Sequence, residues 1–283
     1  MRNFTFKGLL LTAVFMLLGC LSIQADNDDL ITKQITINLD KAGTLPDRIA
    51  SSKKYKITNL KIVGKINGTD LKFIREMAGC DYDGKETDGK LSILDLSDAK
   101  IVEGGSAYYS DRDDGFICTS NDKLGDYVFN GCSGLTSLTL PSSVTSIGHG
   151  AFFCCYGLIS LTIPSSVTAI GSRAFNDCSG LTSIYAYMEK LPETGSNLFL
   201  GCDEKKCTVY VPKGTYDDYF VSEFGFFSHI VEFDATGIDK TTTSTDVEEV
   251  SRYSLNGQRL VGPTKGLNIV KYSDGSVKKV AVE

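Results

Sequence analysis

The sequence predicts an extended, β-rich solenoid of short stacked coils, with a parallel sheet along one face and only a few short helices. The first observation behind this is a 23-residue recurrence. Aligning Asp126–Gly148, His149–Gly171 and Ser172–Gly195 brings Phe129, Phe152, Phe175 and Phe199 into one column, at steps of 23, 23 and 24 residues. Cys132, Cys155, Cys178 and Cys202 keep the same register, as do Leu135/Leu158/Leu181, Leu138/Leu161/Ile184, Val144/Val167 and Ile147/Ile170. A fixed period of this length marks stacked units, none of which buries its apolar face alone. The second observation is alternation within the unit. Leu138 and Leu140 alternate with Ser137 and Thr139, the period of a half-buried strand. The third is composition: no Trp, no enrichment in helix formers, and abundant Thr, Ser, Gly and Tyr.

Taken in chain order, Arg2 and Lys7 precede the apolar run Gly8–Leu18, which is too short to span a bilayer comfortably. Residues 1–20 read as an export signal with two cuts open. One lies before Cys20, where Leu17-Leu18-Gly19-Cys20 resembles a lipobox and Cys20 would carry a lipid; the other lies after Ala25. Residues 26–90 read as an N-terminal cap and first rung. They hold a strand at Gln34–Leu39, short helices at Thr44–Ala50 and Thr69–Ala78, and a strand at Ile57–Ile62. In the second helix Leu71, Ile74 and Met77 form the apolar stripe and Gly79 is the stop.

Residues 91–234 are the repeats and a C-terminal cap. Leu91–Leu96 fits the strand template, and so does Cys207–Pro212, giving six rungs in all. Pro141 ends its strand because it has no N–H for the ladder. A second short extended piece, Ser142–Ile147, follows, Gly148 turns the chain, and Phe129 and its equivalents plug the interior. The coil from Leu91 to Leu135 is 44 residues long and carries an insertion near 103–122, read as a loop rich in Gly, Tyr, Ser and Asp. Thr215-x-x-Asp218 predicts a capping-box-like helix start, and Tyr219, Phe220, Phe224, Phe226 and Phe227 are expected to seal the last coil. Residues 235–249 read as a linker. Residues 250–283 read as a small β segment with hairpin turns at Asn256-Gly257 and Asp274-Gly275. So short a unit has little core of its own, and either stays marginal or docks on the solenoid.

The charge balance excludes a nucleic-acid partner. Lys and Arg number 29 against 35 Asp and Glu, and loss of Arg2 and Lys7 with the signal leaves 27, a net charge of −8. The membrane enters only through the lipid that Cys20 would carry. Nine cysteines in an exported chain raise the question of disulfides. The four ladder cysteines read as small, buried packing residues. Rungs spaced by roughly 4.8 Å do not exclude disulfides on distance, but the parallel alignment of the side chains argues against them. Cys80, Cys118, Cys154 and Cys207 cannot be paired from sequence. There is no Cys-x-x-Cys, and the only histidines are His149 and His229, so no metal is expected. The Asp111, Asp113 and Asp114 run lacks a Ca²⁺-loop spacing and reads as a solvated acidic loop. No Gly-x-Ser-x-Gly, His-Glu-x-x-His or phosphate loop occurs, so neither an enzyme nor a cofactor is expected.

A binding surface is the better expectation. Outward strand positions form two columns. One is Lys61, Asp95, Thr139, Thr162, Tyr185 and Tyr210; the other is Asn59, Ile93, Ser137, Ser160, Ser183 and Thr208. The first grades from charge through Thr to Tyr, whose large area and polar tip suit contact surfaces. Tyr185 and Tyr210, with Tyr187 nearby, are the expected hot spot; plain cross-strand stabilisation is the competing reading of these positions.

The Ala151–Gly171 unit, Ala-Phe-x-x-Cys-x-x-Leu-x-x-Leu-x-Ile-Pro-x-x-Val-x-x-Ile-Gly, resembles the BspA-type leucine-rich repeat. The resemblance covers roughly Leu91–Glu232 and implies a right-handed solenoid whose parallel sheet is concave. It also implies an exported, adhesin-like protein, at the outer membrane and cell surface or secreted, that recognises a protein or glycan on a host or bacterial surface. The tail, with Tyr253–Leu260, Lys265–Val270 and Lys278–Val280, is similar to C-terminal sorting domains of the type IX secretion kind. The alternative role is a structural scaffold of the cell envelope with bacterial partners only.

Overall fold

Alternating strand and turn segments wind into coils whose strands pair in parallel. The computed structural model describes residues 29–111, 115–234, 249–254, 259–260, 262, 265–272 and 277–282. The expected signal with Cys20 and both cuts lies outside the described residues. So do the turn pairs Asn256-Gly257 and Asp274-Gly275, Asp113 and Asp114, and all but the last residue of the expected linker.

The first strand, β1 (Ile35–Leu39), is followed by the short helix α1 (Leu45–Arg48), β2 (Asn59–Ile66) and α2 (Gly68–Met77). Then come β3 (Ile93–Asp95), β4 (Ala99–Ile101) and the pair β5 (Gly104–Asp111) and β6 (Gly115–Thr119). The repeats supply β7 (Lys123–Leu124), β8 (Ser137–Thr139), β9 (Ser146–Ile147), β10 (Ser160–Ile163), β11 (Ala169–Ile170), β12 (Ser183–Ala186), β13 (Glu193–Thr194) and β14 (Thr208–Pro212). After α3 (Tyr216–Phe220) and a 3₁₀ turn (Glu223–Phe226) comes β15 (His229–Phe233). The C-terminal segment holds β16 (Glu249–Ser254), β17 (Arg259–Leu260), β18 (Gly266–Tyr272) and β19 (Val277–Val282).

The long sheet runs β1-β2-β3-β8-β10-β12-β14-β15, all parallel, with β4 also pairing β2. Ser137, Ser160 and Ser183 stand opposite one another, which places the 23-residue period directly in the register. The 44-residue step also lands in register, Ile93 opposite Ser137. A second sheet, β13-β11-β9-β7, forms from the short extended pieces. The sheet exceeds the six expected rungs by β1 and β15, which pair onto its two ends. The insertion is an antiparallel hairpin, β5–β6, not an open loop. Its Tyr108 is fully buried, and an apolar anchor of this size holds the segment down.

Two helix starts differ from expectation. Thr215 gives no side-chain cap to α3, because its hydroxyl donates to the Pro212 carbonyl instead. The capping box sits at α2. The Asn67 side chain accepts from Thr69 N–H, and Asp70 accepts from Asn67 N–H. Asp70 is fully buried and also accepts from Gly43 and Leu45 N–H, so one carboxylate fixes both N-terminal helices.

The core is the aromatic column. The rings of Phe129, Phe152, Phe175 and Phe199 stack at 5.7, 5.4 and 5.5 Å, with interplanar angles of 21°, 15° and 11°. Each sits in a turn that hydrogen-bonds to the next turn through three backbone amides. In the first pair of turns, Tyr127, Phe129 and Gly131 donate to His149, Ala151 and Phe153; the next pairs repeat the pattern from Gly150, Phe152 and Cys154, and from Arg173, Phe175 and Asp177. The cysteines brace the same stack. Cys155, Cys178 and Cys202 thiols approach the carbonyls of Phe129, Phe152 and Phe175 at 3.0, 3.1 and 3.4 Å.

This ladder has a start, and the start needs donors. The carbonyls of Asp126, Val128 and Asn130 correspond to those of His149, Ala151 and Phe153, yet no earlier turn faces them. The Tyr108 hydroxyl donates to Asp126 O at 2.9 Å. The fork of Arg75, fully buried, supplies the rest: Nη1 donates to Val128 O and Tyr127 O, and Nη2 to Asn130 O and Asp81 O, all at 2.9–3.0 Å. A cation on α2 thus terminates the backbone ladder of the repeats. At the other end Phe199 packs against Phe224 and Phe227, which with Tyr219 are buried. Phe220 and Phe226 are exposed and take no part in the seal.

The turns carry a backbone cost. Each holds two left-handed residues four apart: Tyr127 and Gly131, Gly150 and Cys154, Arg173 and Asp177, Asn197 and Gly201. A non-glycine residue there costs about 1 kcal/mol or more. The first and last turns place Gly at the second position where Asp177 (φ 58°) stands in the third. Asp177→Gly is therefore expected to raise stability by about 1 kcal/mol in urea denaturation. No change, or a loss, would show that the strain is absent.

Candidate functional site: the outer face of the long sheet

Every outward residue expected from the sequence takes its place in the register. Thr36, Lys61, Asp95, Thr139, Thr162, Tyr185, Tyr210 and Val231 form one continuous row across eight strands. Asn59, Ile93, Ser137, Ser160, Ser183, Thr208 and His229 form the row beside it. The alternation that points Leu138, Leu161, Ile184 and Val209 into the core necessarily points these residues out. His229 follows the aromatic cap residues Phe224–Phe227 in the chain. The structure puts it, exposed, opposite Thr208 on this face.

The row divides into three parts. At the N-terminal end Lys61 Nζ lies 3.2 Å from Asp95 and 2.6 Å from Asp98. Asp98 chiefly, then Asp95, raises the Lys61 pKa against a lowering by burial. Lys61 and Asp95 are half-buried and Asp98 is exposed, so one cation between two carboxylates leaves the cluster with a single negative charge in excess. In the middle Thr139 faces Thr162, with Ser137 and Ser160 buried alongside, a hydroxyl-lined strip. At the C-terminal end the Tyr185 and Tyr210 rings stack at 4.6 Å and 7°, and Tyr187 meets Phe233 edge-on at 5.1 Å.

This aromatic end is covered. The C-terminal strands form an antiparallel sheet, β17-β16-β18-β19, and the Ile269 and Tyr253 of its central pair pack on Tyr185, Tyr187, Tyr210 and Phe233. Tyr185, the expected hot spot, is only 6% exposed. Burial pushes the phenols of Tyr185, Tyr187 and Tyr210 upward. Of the two outcomes open for the small C-terminal unit, the described strands show docking.

The ladder thiols are held inert. Among the described residues all eight cysteines are free thiols. Burial raises Cys132 and Cys202 to about 12 and lifts Cys155 and Cys178 well above the usual 9.0. A protonated, enclosed thiol is neither a nucleophile nor a metal ligand. No group of three His, Cys, Asp or Glu side chains able to hold a metal occurs among the described residues. Nor is any helix among them long and apolar enough to cross a membrane. A shallow depression of about 710 Å³ beside Tyr187 is lined by Glu189, Lys190, Leu191 and Glu193.

Residues 108–218 match the family described as the BspA-type leucine-rich repeat region, in six copies. Among solved structures the chain is similar to a leucine-rich repeat protein from Bacteroides ovatus ATCC 8483, with 22% identity and a TM-score of 0.37. The match covers 74% of this chain and 45% of that one, so this chain spans less than half the length of that relative. No curated protein matches. The repeat signature and the parallel stacked coils make the fold a leucine-rich-repeat solenoid.

The thiol column gives a sign-defined pH dependence. Folding holds these pKa values above that of the unfolded thiol, so their contribution is complete below pH 9.0 and is lost as pH climbs toward about 12. The urea midpoint is expected to fall between pH 8 and pH 11, and native-state alkylation at pH 8 to label exposed Cys118 while sparing Cys132, Cys155 and Cys178. Rapid labelling of the ladder in folded protein would contradict the packing described.

Proposed function

We propose that the protein is an exported, surface-associated binding module that recognises a protein or glycan through the outer face of its long sheet. The observation that carries this reading is the unbroken outward row from Lys61 to Tyr210, held in register by the buried Phe and Cys columns. A solenoid gives its side chains rigid, evenly spaced positions, and repeat folds commonly use such faces for binding. The hydroxyls of Thr139 and Thr162 offer hydrogen bonds at fixed spacing, the Lys61–Asp95 cluster borders them, and the aromatic end with Tyr185, Tyr187 and Tyr210 lies beyond. Resemblance of the repeats to surface adhesins supports placement outside the cell, and resemblance of residues 253–280 to sorting domains supports a route for it. The ligand sits on a host or bacterial surface, and no chemistry on it is called for.

The test is binding of the purified protein to an array of matrix proteins and glycans, with Thr139→Arg/Thr162→Arg and Tyr185→Ala/Tyr210→Ala as controls. Specific binding is expected, weakened about tenfold or more by the threonine replacements, which fill the strip with bulk and charge. Binding that ignores both double variants would remove this face from the account. Binding to nothing on the array, together with protection from protease on intact cells, would replace it with an envelope scaffold.

A further inference from the structure

The outer row changes character at one place. Upstream positions are Thr36, Lys61, Asp95, Thr139 and Thr162; at Tyr185 and Tyr210 they become large and aromatic, and Tyr187 and Phe233 widen the patch. The change falls where the C-terminal sheet sits. Its contact is made by a cross-strand pair, Tyr253 on β16 and Ile269 on β18. Ile269 is 4% exposed. On the opposite face of the same sheet Val270 is fully buried and Arg252 donates to the side-chain Oδ1 of Asn268 at 3.2 Å. The docked unit therefore meets the solenoid through a small patch on one of its faces.

The chemistry of the platform is also unlike the interior. Where the sheet faces the core it uses Ile184, Val209 and Val211, shapes chosen for packing alone. Where it faces the C-terminal sheet it uses three tyrosines, rings with apolar area and polar tips that suit a surface wetted part of the time. Four clustered aromatics left open would form an apolar patch of the kind that marks an interaction site. Fifteen residues, 234–248, separate β15 from β16, so the sheet stays close to its platform whether docked or not.

We propose that the C-terminal sheet is a reversible lid: it occupies the aromatic half of the binding face as an intramolecular stand-in, and a ligand reaches Tyr185 and Tyr210 only after displacing it. This rests on the reading of the outer face as the binding surface and adds its regulation. The hydroxyl strip stays open in both states and makes first contact; the aromatic platform adds to the contact when the lid lifts.

The test is hydroxyl-radical footprinting of the full chain by mass spectrometry. It reads side-chain exposure directly and needs no ligand, so it can fail without touching the binding result. In wild type, oxidation of Tyr185, Tyr187 and Tyr210 is expected to rise at urea concentrations below those that expose Phe152 and Phe175. In Ile269→Asp, which puts a charge on the platform, it is expected to rise about tenfold without urea while Phe152 and Phe175 stay protected. Tyr253→Ser, a milder change, should show the same pattern in smaller degree. The lid is refuted if the tyrosines stay protected in both variants. It is equally refuted if the platform and the phenylalanine stack become exposed together, since the sheet would then be part of a single cooperative solenoid.

Discussion

A stack of hydrogen-bonded turns has to begin somewhere, and here it begins on Arg75. Within the repeats every turn's outward carbonyls are met by the amides of the turn before. The first turn has no predecessor, and three carbonyls would be buried without donors at a cost of about 1–3 kcal/mol each. Arg75 and Tyr108 stand in for the missing amides of that earlier turn. The planar fork suits this task because its nitrogens sit at fixed spacing and each carries more than one hydrogen. With the start in place, each later coil copies the register of the one before it. The phenylalanine column, the thiol contacts and the parallel sheet all inherit that register.

The outer face of the long sheet follows from the same constraint. Strands pinned at a 23-residue period point equivalent side chains in equivalent directions, so a row of outward residues is an unavoidable product of a well-ordered core. What is selected is the content of the row. A lysine between two carboxylates, hydroxyls at regular intervals and then a cluster of rings make one surface with distinct kinds of side chain. The C-terminal sheet covers the rings and leaves Thr139 and Thr162 half-exposed beside them.

Much of this was legible before any coordinates. The Phe, Cys and Leu columns declare the coils because identical residues recur at identical intervals, and strand alternation then separates inward from outward positions. The 44-residue coil announced its insertion by length alone, though not that β5 and β6 would pair or that Tyr108 would be buried. Arg75 was missed for a physical reason: its partners in the first phenylalanine turn lie 52–55 residues away, and only fold closure brings them together. A signal was present nonetheless, since Arg75 falls four residues after Leu71 and next to Ile74, on the apolar stripe of α2 where a charge should not stand without purpose. The covering of Tyr185 was hidden for a similar reason. Contact between units far apart in the chain leaves no periodic trace, and a tyrosine that packs under a docked sheet looks in sequence like one that awaits a ligand.

Amide hydrogen exchange across the phenylalanine turns of an Arg75→Met variant tests the ladder most directly. If Arg75 terminates the stack, protection falls most in residues 126–131, less in the turn of Phe152, and least in the turn of Phe199. Protection unchanged across all four turns, or lost evenly from every coil, would mean that each turn stands on its own packing and that the stack needs no such start.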